Sequence, residues 1–234
     1  MTLDQAEVRR FWDAQARKLG ATAVASSVTN LEEDPELVAE KVAHERRRVR
    51  EFLPLDPGAS LLDLGAGIGA WSLYLAPFVA RVVAVEYNEA FVRFGREEQA
   101  RGGIGNVEFV VSPAEAFTTA EPFDLVFISG LMIYLNDGAA LRLMRNLRAL
   151  VRPGGAVVLR DGTGVPARHE INDRFSEALQ ARYSAVYRTR EEYVALFREA
   201  GCALEADDDM FPEGHRLNKY PETRLRLYRF VRRG

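Results

Sequence analysis

The residues with chemical potential begin at Asp63-Leu-Gly65-Ala66-Gly67-Ile-Gly69, where a short apolar run ends and a segment apolar at helical spacing opens. Glycines in such a turn let the backbone approach a ligand more closely than any side chain permits. With Ala70 included, the stretch also fits the Gly-x-Gly-x-x-Gly/Ala turn that holds a dinucleotide pyrophosphate. Asp63, two residues before the first glycine, argues against that ligand, because a carboxylate repels a pyrophosphate at close range. It suits a ligand ammonium, or it holds the turn. Glu86 closes the next apolar run, about 20 residues after the first glycine, an offset at which an acid accepts hydrogen bonds from ribose hydroxyls. There is no Tyr-x-x-x-Lys pair for hydride transfer and no Gly-Lys-Ser/Thr of a phosphate-cradling loop.

Other residues have two readings each. Tyr87 and Asn88 follow the acid and either flank a bound base or, for Asn88, cap the next helix. Asp161 ends an apolar strand and faces the sheet edge where ligands of open α/β folds bind, as a base or a positioner of the second substrate. His169 opens the following segment with a base strength suited to neutral pH. His215 lies in the polar loop 211–222, and His44 reads as a solvent-facing helix residue. Asp207-Asp208-Asp209 reads as a hydrated strand end, so no metal is expected. Cys202 reads as a small core residue.

The elements that position these groups alternate. Strands are predicted at 60–64, 81–86, 106–111, 123–129 and 156–160, and helices at 68–78, 89–101 and 138–150. Val-, Ile-, Leu- and Phe-rich strands between amphipathic helices imply a parallel sheet covered on both faces. Arg152-Pro-Gly-Gly155 reads as a turn. Before this run, Thr2–Gln5 resembles a capping box, Val8, Phe11, Trp12 and Ala16 share a helical face, and Gly20 stops that helix. Asp34-Pro35 opens a second helix that Pro54–Gly58 ends. After the run, 167–181 reads as a helix, Thr189-Arg-Glu-Glu192 as a capping box for another ending at Gly201, and 203–207 and 224–231 as strands.

The bulk numbers agree with an ordinary globular chain. It has 234 residues, 47% hydrophobic and 28% charged, enough for a real core. With 31 basic and 34 acidic side chains the formal charge is −3, against a nucleic-acid partner. One cysteine excludes an internal disulfide, and no long apolar run or leader-like segment is present. A cytoplasmic protein without a membrane partner is expected. The richness in arginine and alanine points to a GC-rich bacterial source.

Read in order, these segments resemble the class I S-adenosylmethionine-dependent methyltransferases. Asp63–Gly69 is similar to their motif I, and Val83-Ala-Val85-Glu86 to the ribose-binding strand end. Ser112-Pro113-Ala114-Glu115 occupies the adenine-contacting segment, Phe123–Ser129 is similar to motif IV, and Leu150–Gly155 to the motif V turn. The resemblance covers residues 58–162 and, loosely, the last two strands. Pro113 departs from it, since the family often carries an acid near that position, which Glu115 or backbone groups would replace.

The resemblance implies an α/β fold: a doubly wound, mostly parallel seven-stranded sheet with an antiparallel last strand, plus an N-terminal helical lid. It implies one domain over 1–234, with 1–56 as the lid, 57–162 as the cofactor-binding half and 163–234 as the substrate-binding part and C-terminal strands. The implied cofactor is S-adenosyl-L-methionine, held by Trp12, Asp63, Gly65, Ala66, Gly67, Glu86, Tyr87, Asn88, Pro113, Ala114, Glu115, Ser129 and Gly130. Trp12 and Gln15 would close over it. Tyr134, after motif IV, joins Asp161 and His169 as the catalytic candidates. The implied reaction is in-line methyl transfer to an oxygen or nitrogen of a small metabolite, of the kind that tailors natural products, by a monomer or homodimer. Two alternatives stand beside it. Arg160-Asp161 and the aromatic after motif IV also resemble enzymes that methylate protein N-terminal amines, although Gly162 stands where an asparagine is expected. The other is a module that binds the cofactor without turnover.

Overall fold

The computed structural model describes residues 3–17, 34–177 and 181–234. Among the described residues nine strands and six α-helices follow one another: α1 (Gln5–Arg17), α2 (Pro35–Phe52), β1 (Ser60–Leu64), α3 (Ala70–Leu75), β2 (Arg81–Glu86), α4 (Glu89–Arg101), β3 (Val107–Val111), β4 (Phe123–Ser129), α5 (Asp137–Leu150), β5 (Val151–Gly164), β6 (His169–Ser176), β7 (Ala181–Tyr187), α6 (Arg190–Glu199), β8 (Cys202–Asp209) and β9 (Thr223–Arg232). Seven strands form one sheet in the order β3-β2-β1-β4-β5-β9-β8, and β6 pairs with β7 in a separate hairpin. β1 to β5 are mutually parallel, while β9 runs antiparallel to both neighbours, as expected. The order reverses between β1 and β4, and that switch point opens a crevice at the carboxyl ends of the strands.

Local chemistry accounts for the helix starts. Asp34 caps α2 with proline at its first turn, Asn88 caps α4, Asn136 caps α5, and Thr189 and Glu192 form the expected capping box of α6. The expected box at Thr2 and stop at Gly20 lie outside the described residues; Asp4 accepts from the Ala6 amide and its carbonyl from the Val8 amide. The central strands are apolar on both faces because helices cover both. One face packs on Leu143, Met144, Leu147, Tyr193 and Phe197 of α5 and α6, the other on Val49, Phe52, Leu75 and Val92 of α2, α3 and α4.

Four expectations are corrected. The helix expected over 167–181 does not form in its described residues: 169–176 pair antiparallel with 181–187. Tyr183, Val186 and Tyr187 favour extended backbone, and pairing buries Ala185 and Val186 against Leu3, Val8, Ile133 and Tyr134, a tertiary gain that outweighs helical propensity. A bulge between Ile171 and Arg174 places Asp173 at a φ of 47°, with its amide donating to Ser184 Oγ. The Arg152–Gly155 turn is absorbed into β5 as an irregularity where the β4 pairing shifts, Gly154 taking a φ of 77°. α2 is a core helix rather than part of a lid. His44 is not solvent-facing: its Nε2 donates to the Met210 carbonyl at 2.7 Å and its ring stacks on Phe211. Cys202 is buried as expected. No described helix is long and apolar enough to cross a membrane.

Candidate functional site

A cavity of about 430 Å³ lies over the carboxyl ends of β1, β2, β4 and β5, within the range of small-ligand pockets. The glycine turn forms its floor. Gly65 and Gly67 take left-handed φ values of 75° and 56°. A Cβ on Gly65 would sit 3.1 Å from Leu131, so both conformation and space demand glycine there. The turn is tied to the neighbouring strand, because the Gly65 and Ala66 amides donate to the Val85 carbonyl.

Glu86 stands beside it. Its Oε2 accepts from the Gly67 amide at 3.0 Å and its Oε1 from the Asn88 amide at 2.9 Å. A carboxylate offers about four lone-pair directions, so two remain, one on each oxygen, for a ligand diol. Burial raises its pKa, and the backbone amides oppose that shift. Asp63 is also buried, its Oδ2 accepting from Ser72 Oγ at 2.6 Å. Burial pushes its pKa to about 7, with the nearby Glu86 charge adding to the shift. A cationic ligand group would favour its ionised form.

The structure brings together nearly every residue expected for the cofactor. Trp12, Asp63, Gly65, Ala66, Gly67, Glu86, Tyr87, Pro113, Ala114, Glu115, Ser129 and Gly130 all line the cavity. Asn88 does not: its side chain caps α4 and donates to Asp13 Oδ1 at 2.8 Å, which pins α1 over the cavity. Trp12 on α1 sits edge-on to Phe91 and Tyr134, with the Tyr134 ring centroid 5.0 Å away. Gln15 is buried, and its Nε2 has no hydrogen-bond partner among the described residues; the same holds for the Tyr87 hydroxyl, which lines the cavity.

The catalytic candidates divide. Tyr134 and Asp161 line the cavity. Burial holds the Tyr134 phenol well above its usual range, so it is neutral at physiological pH, its hydroxyl 3.5 Å from that of Tyr183. Asp161 is fully buried, with Oδ2 accepting from the Met132 amide at 2.7 Å and Oδ1 from the Gly162 amide at 2.8 Å. Burial raises its pKa to about 6. It anchors the turn after β4. His169 lies on β6 beside the Tyr187 ring and is not among the residues lining the cavity, because the helix that would have presented it does not form. His215 sits on Phe211, away from the cavity, and Asp207 is held by Arg190 and Arg226. No metal-type cluster occurs among the described residues.

Several cavity residues escaped sequence reasoning. Tyr183 and Tyr187 come from the hairpin and continue a hydroxyl series from Tyr134, their own hydroxyls 3.2 Å apart. Their β-type composition was the available signal. Arg160 lines the cavity, pairs with Glu45 of α2 at 2.7 Å and donates to Ser129 Oγ. Arg188, only 1% exposed, is not itself a lining residue. It binds the Met132 and Leu135 carbonyls and Asp137, and so fixes the segment that carries Tyr134.

Comparison with known proteins agrees with this geometry. Residues 61–155 match a family described as a methyltransferase domain. A phosphoethanolamine N-methyltransferase of Arabidopsis thaliana is 30% identical over 169 residues, 70% of this chain and 32% of that protein. The chain thus spans about a third of the length of the first curated relatives it matches. Among solved structures, a Haemonchus contortus phosphoethanolamine N-methyltransferase in complex with phosphoethanolamine and S-adenosylhomocysteine superposes with a TM-score of 0.71 at 21% identity, covering 96% of this chain and 48% of that one. A 4+2 cyclase superposes with a TM-score of 0.73 at 16% identity, covering 99% and 97%. Both structures are likenesses of fold.

Proposed function

The chain belongs to the class I S-adenosylmethionine-dependent methyltransferase family, and on that premise we propose that it transfers a methyl group to a nitrogen or oxygen atom of a small molecule. The observation that carries the reading is Glu86, held by two backbone amides beside a left-handed glycine turn with an acceptor direction left on each oxygen. S-adenosylmethionine fits these residues. Glu86 would hold its ribose diol, Gly65 and Gly67 would give its methionine moiety room, Asp63 would receive its ammonium, and the Tyr87 hydroxyl offers a donor without a partner among the described residues. When bound, this cofactor supplies a methyl carbon on a sulfonium, whose bond to sulfur breaks with its electron pair as the acceptor's lone pair bonds to carbon.

The chain's own contribution is position. Trp12 and α1 cover the cavity and exclude water, and Tyr134, Tyr183 and Tyr187 wall it on the acceptor side. Tyr134 is neutral and His169 lies off the cavity, while Asp161, which accepts two amides, keeps an acceptor direction on each oxygen. Asp161 is therefore the one expected base that faces the cavity, and an amine acceptor needs no more than a place to lose its proton, to that carboxylate or to water. The fold alone does not imply methyl transfer, and the cyclase among its structural neighbours is the reason to require turnover as well as binding.

Thermal unfolding with S-adenosylmethionine, S-adenosylhomocysteine, NAD and NADP tests the cofactor. A ligand at about 100 times its dissociation constant stabilises the folded state by roughly 2.7 kcal/mol. The sulfur pair should shift the transition and the dinucleotides should not. Labelled methyl transfer to a panel of small amines and alcohols, phosphoethanolamine among them, then tests the reaction. Stabilisation by NAD or NADP alone would overturn the reading, and cofactor binding with no transfer to any acceptor would reduce it to a binding module.

A further inference from the structure

An α-amino acid carries its ammonium and its carboxylate on one carbon. A pocket that reads both ends of that zwitterion needs a cation close to the acid that takes the ammonium. Asp63 is the acid at the glycine turn, and its surroundings lead to one guanidinium. Asp63 Oδ2 accepts from Ser72 Oγ at 2.6 Å, which ties α3 to the end of β1. Trp71, the residue before Ser72, lines the cavity, and the Arg160 guanidinium lies 5.6 Å from its ring centroid. On the other side of the turn, Leu64 pairs with Ile128 of β4. Ser129 comes next, stands opposite Arg160 in the register of β4 and β5, and accepts from Arg160 Nη1 at 3.2 Å. Arg160 is thus held between α3 and the end of β4, the two elements that flank the glycine turn, and it lines the same cavity.

Arg160 is not a free cation. Its Nη2 donates to Glu45 Oε2 of α2 at 2.7 Å, and that partner fixes the plane of the fork. A guanidinium carries five N–H donors, of which Glu45 and Ser129 take two. Nε is buried and has no partner among the described residues. A buried donor without an acceptor costs stability, and a ligand oxygen relieves that cost. A carboxylate is the acceptor whose planar geometry matches the fork. With one in place the charges alternate along a line: Asp63, ligand ammonium, ligand carboxylate, Arg160, Glu45. Each then neighbours its opposite, in surroundings where burial strengthens the attraction.

We propose that Arg160 reads the α-carboxylate of the cofactor's methionine moiety, so that this end of the cavity accepts an intact amino-acid zwitterion and discriminates against a ligand that lacks the carboxylate. This deepens the methyltransferase reading and rests on it. The cofactor site therefore extends from β1 and β2 across β4 to a side chain of β5 that α2 holds in place.

The test compares two ligands by calorimetry on the full chain: S-adenosylhomocysteine, and its decarboxylated analogue, which keeps the amine and lacks only the carboxylate. The native chain should bind S-adenosylhomocysteine at least about tenfold more tightly than the analogue. Arg160→Met alone strands the buried Glu45, so it is combined with Glu45→Met, which removes the ion pair as a unit. The double variant should bind S-adenosylhomocysteine about tenfold more weakly and the analogue within about twofold of the native chain, which erases the preference. Arg160→Lys, which keeps the charge and loses the fork, should retain only part of the preference. Equal affinity of the native chain for the two ligands would overturn the reading of a carboxylate at this end. An equal loss of both ligands in the double variant would overturn Arg160 as the group that reads it, since a merely structural role weakens both alike. In either case S-adenosylhomocysteine still binds and the methyltransferase reading stands. Failure of the native chain to bind either ligand would sink that reading, and this one with it.

Discussion

The half of the cavity over β1 and β2 is built differently from the half over β5 and β9. In the first, recognition groups come from one short stretch of chain, and much of the work is done by backbone: left-handed glycines, and amides that hold the carboxylate of Glu86. In the second, the wall is assembled from α1, the β6–β7 hairpin, the 211–222 segment and β9, and it presents side chains: Trp12, the tyrosines and the cations. A backbone-built surface suits a ligand that never changes. A side-chain-built surface can be altered at one position without disturbing the sheet, which suits a ligand that differs between relatives. Arg188 holds the second half together, since it leaves the end of the hairpin to hold the carbonyls of the segment between β4 and α5 that carries Tyr134.

Arg188→Ala is the largest expected break in that division. It strips partners from two buried carbonyls and from Asp137, and should lower stability by about 3 kcal/mol in denaturant unfolding. A loss under about 1 kcal/mol would mean that the hairpin is not fastened to the Tyr134 segment there. Glu86→Ala comes next. Losing two charge-assisted bonds to a ribose, at roughly 1.5–3 kcal/mol each, should weaken S-adenosylhomocysteine at least about 100-fold by calorimetry.

The pH dependence is smaller and has a definite sign. Asp63 has a folded pKa of about 7 against an ordinary 3.8. Between those values the unfolded chain releases the proton and the folded chain keeps it, so this group's contribution to stability falls as pH rises through that window. Pairing with a ligand ammonium needs the ionised form, so S-adenosylhomocysteine affinity should fall as pH drops below about 7, by up to ~10-fold per pH unit. Asp63→Asn should flatten that slope; an unchanged slope would remove Asp63 from the ammonium site. Tyr183→Phe is the mildest test. It should leave S-adenosylhomocysteine affinity within twofold and lower kcat/KM for the acceptor about fivefold, the scale of one hydrogen bond of about 1 kcal/mol. An equal loss in both would erase the distinction between the halves.

The legibility of the sequence follows the same line. Asp63, the glycines and Glu86 were readable because turn and strand signals are local, and each lies within a few residues of the break that reveals it. Asn88 was readable as a cap for the same reason. The hairpin was not. Residues 167–181 have enough Ala, Leu, Glu and Arg to imitate a helix, and the extended form of 169–176 is decided by pairing with 181–187, which packs under α1. His169 was misplaced along with that element, and His44 by a partner 166 residues away.

The order of amino acids by itself therefore determined the alternation of strands and helices, the helix caps, the glycine turn and the acid at the end of β2, because these depend on conformational preferences within a few residues of each other. Only the tertiary structure decided that Arg188 is buried, that Asp161 anchors a turn, and that Arg160 of β5 meets Glu45 of α2. Each depends on side chains brought together from distant parts of the chain by the sheet order, and a polar side chain leaves no periodic trace of the partner it will meet.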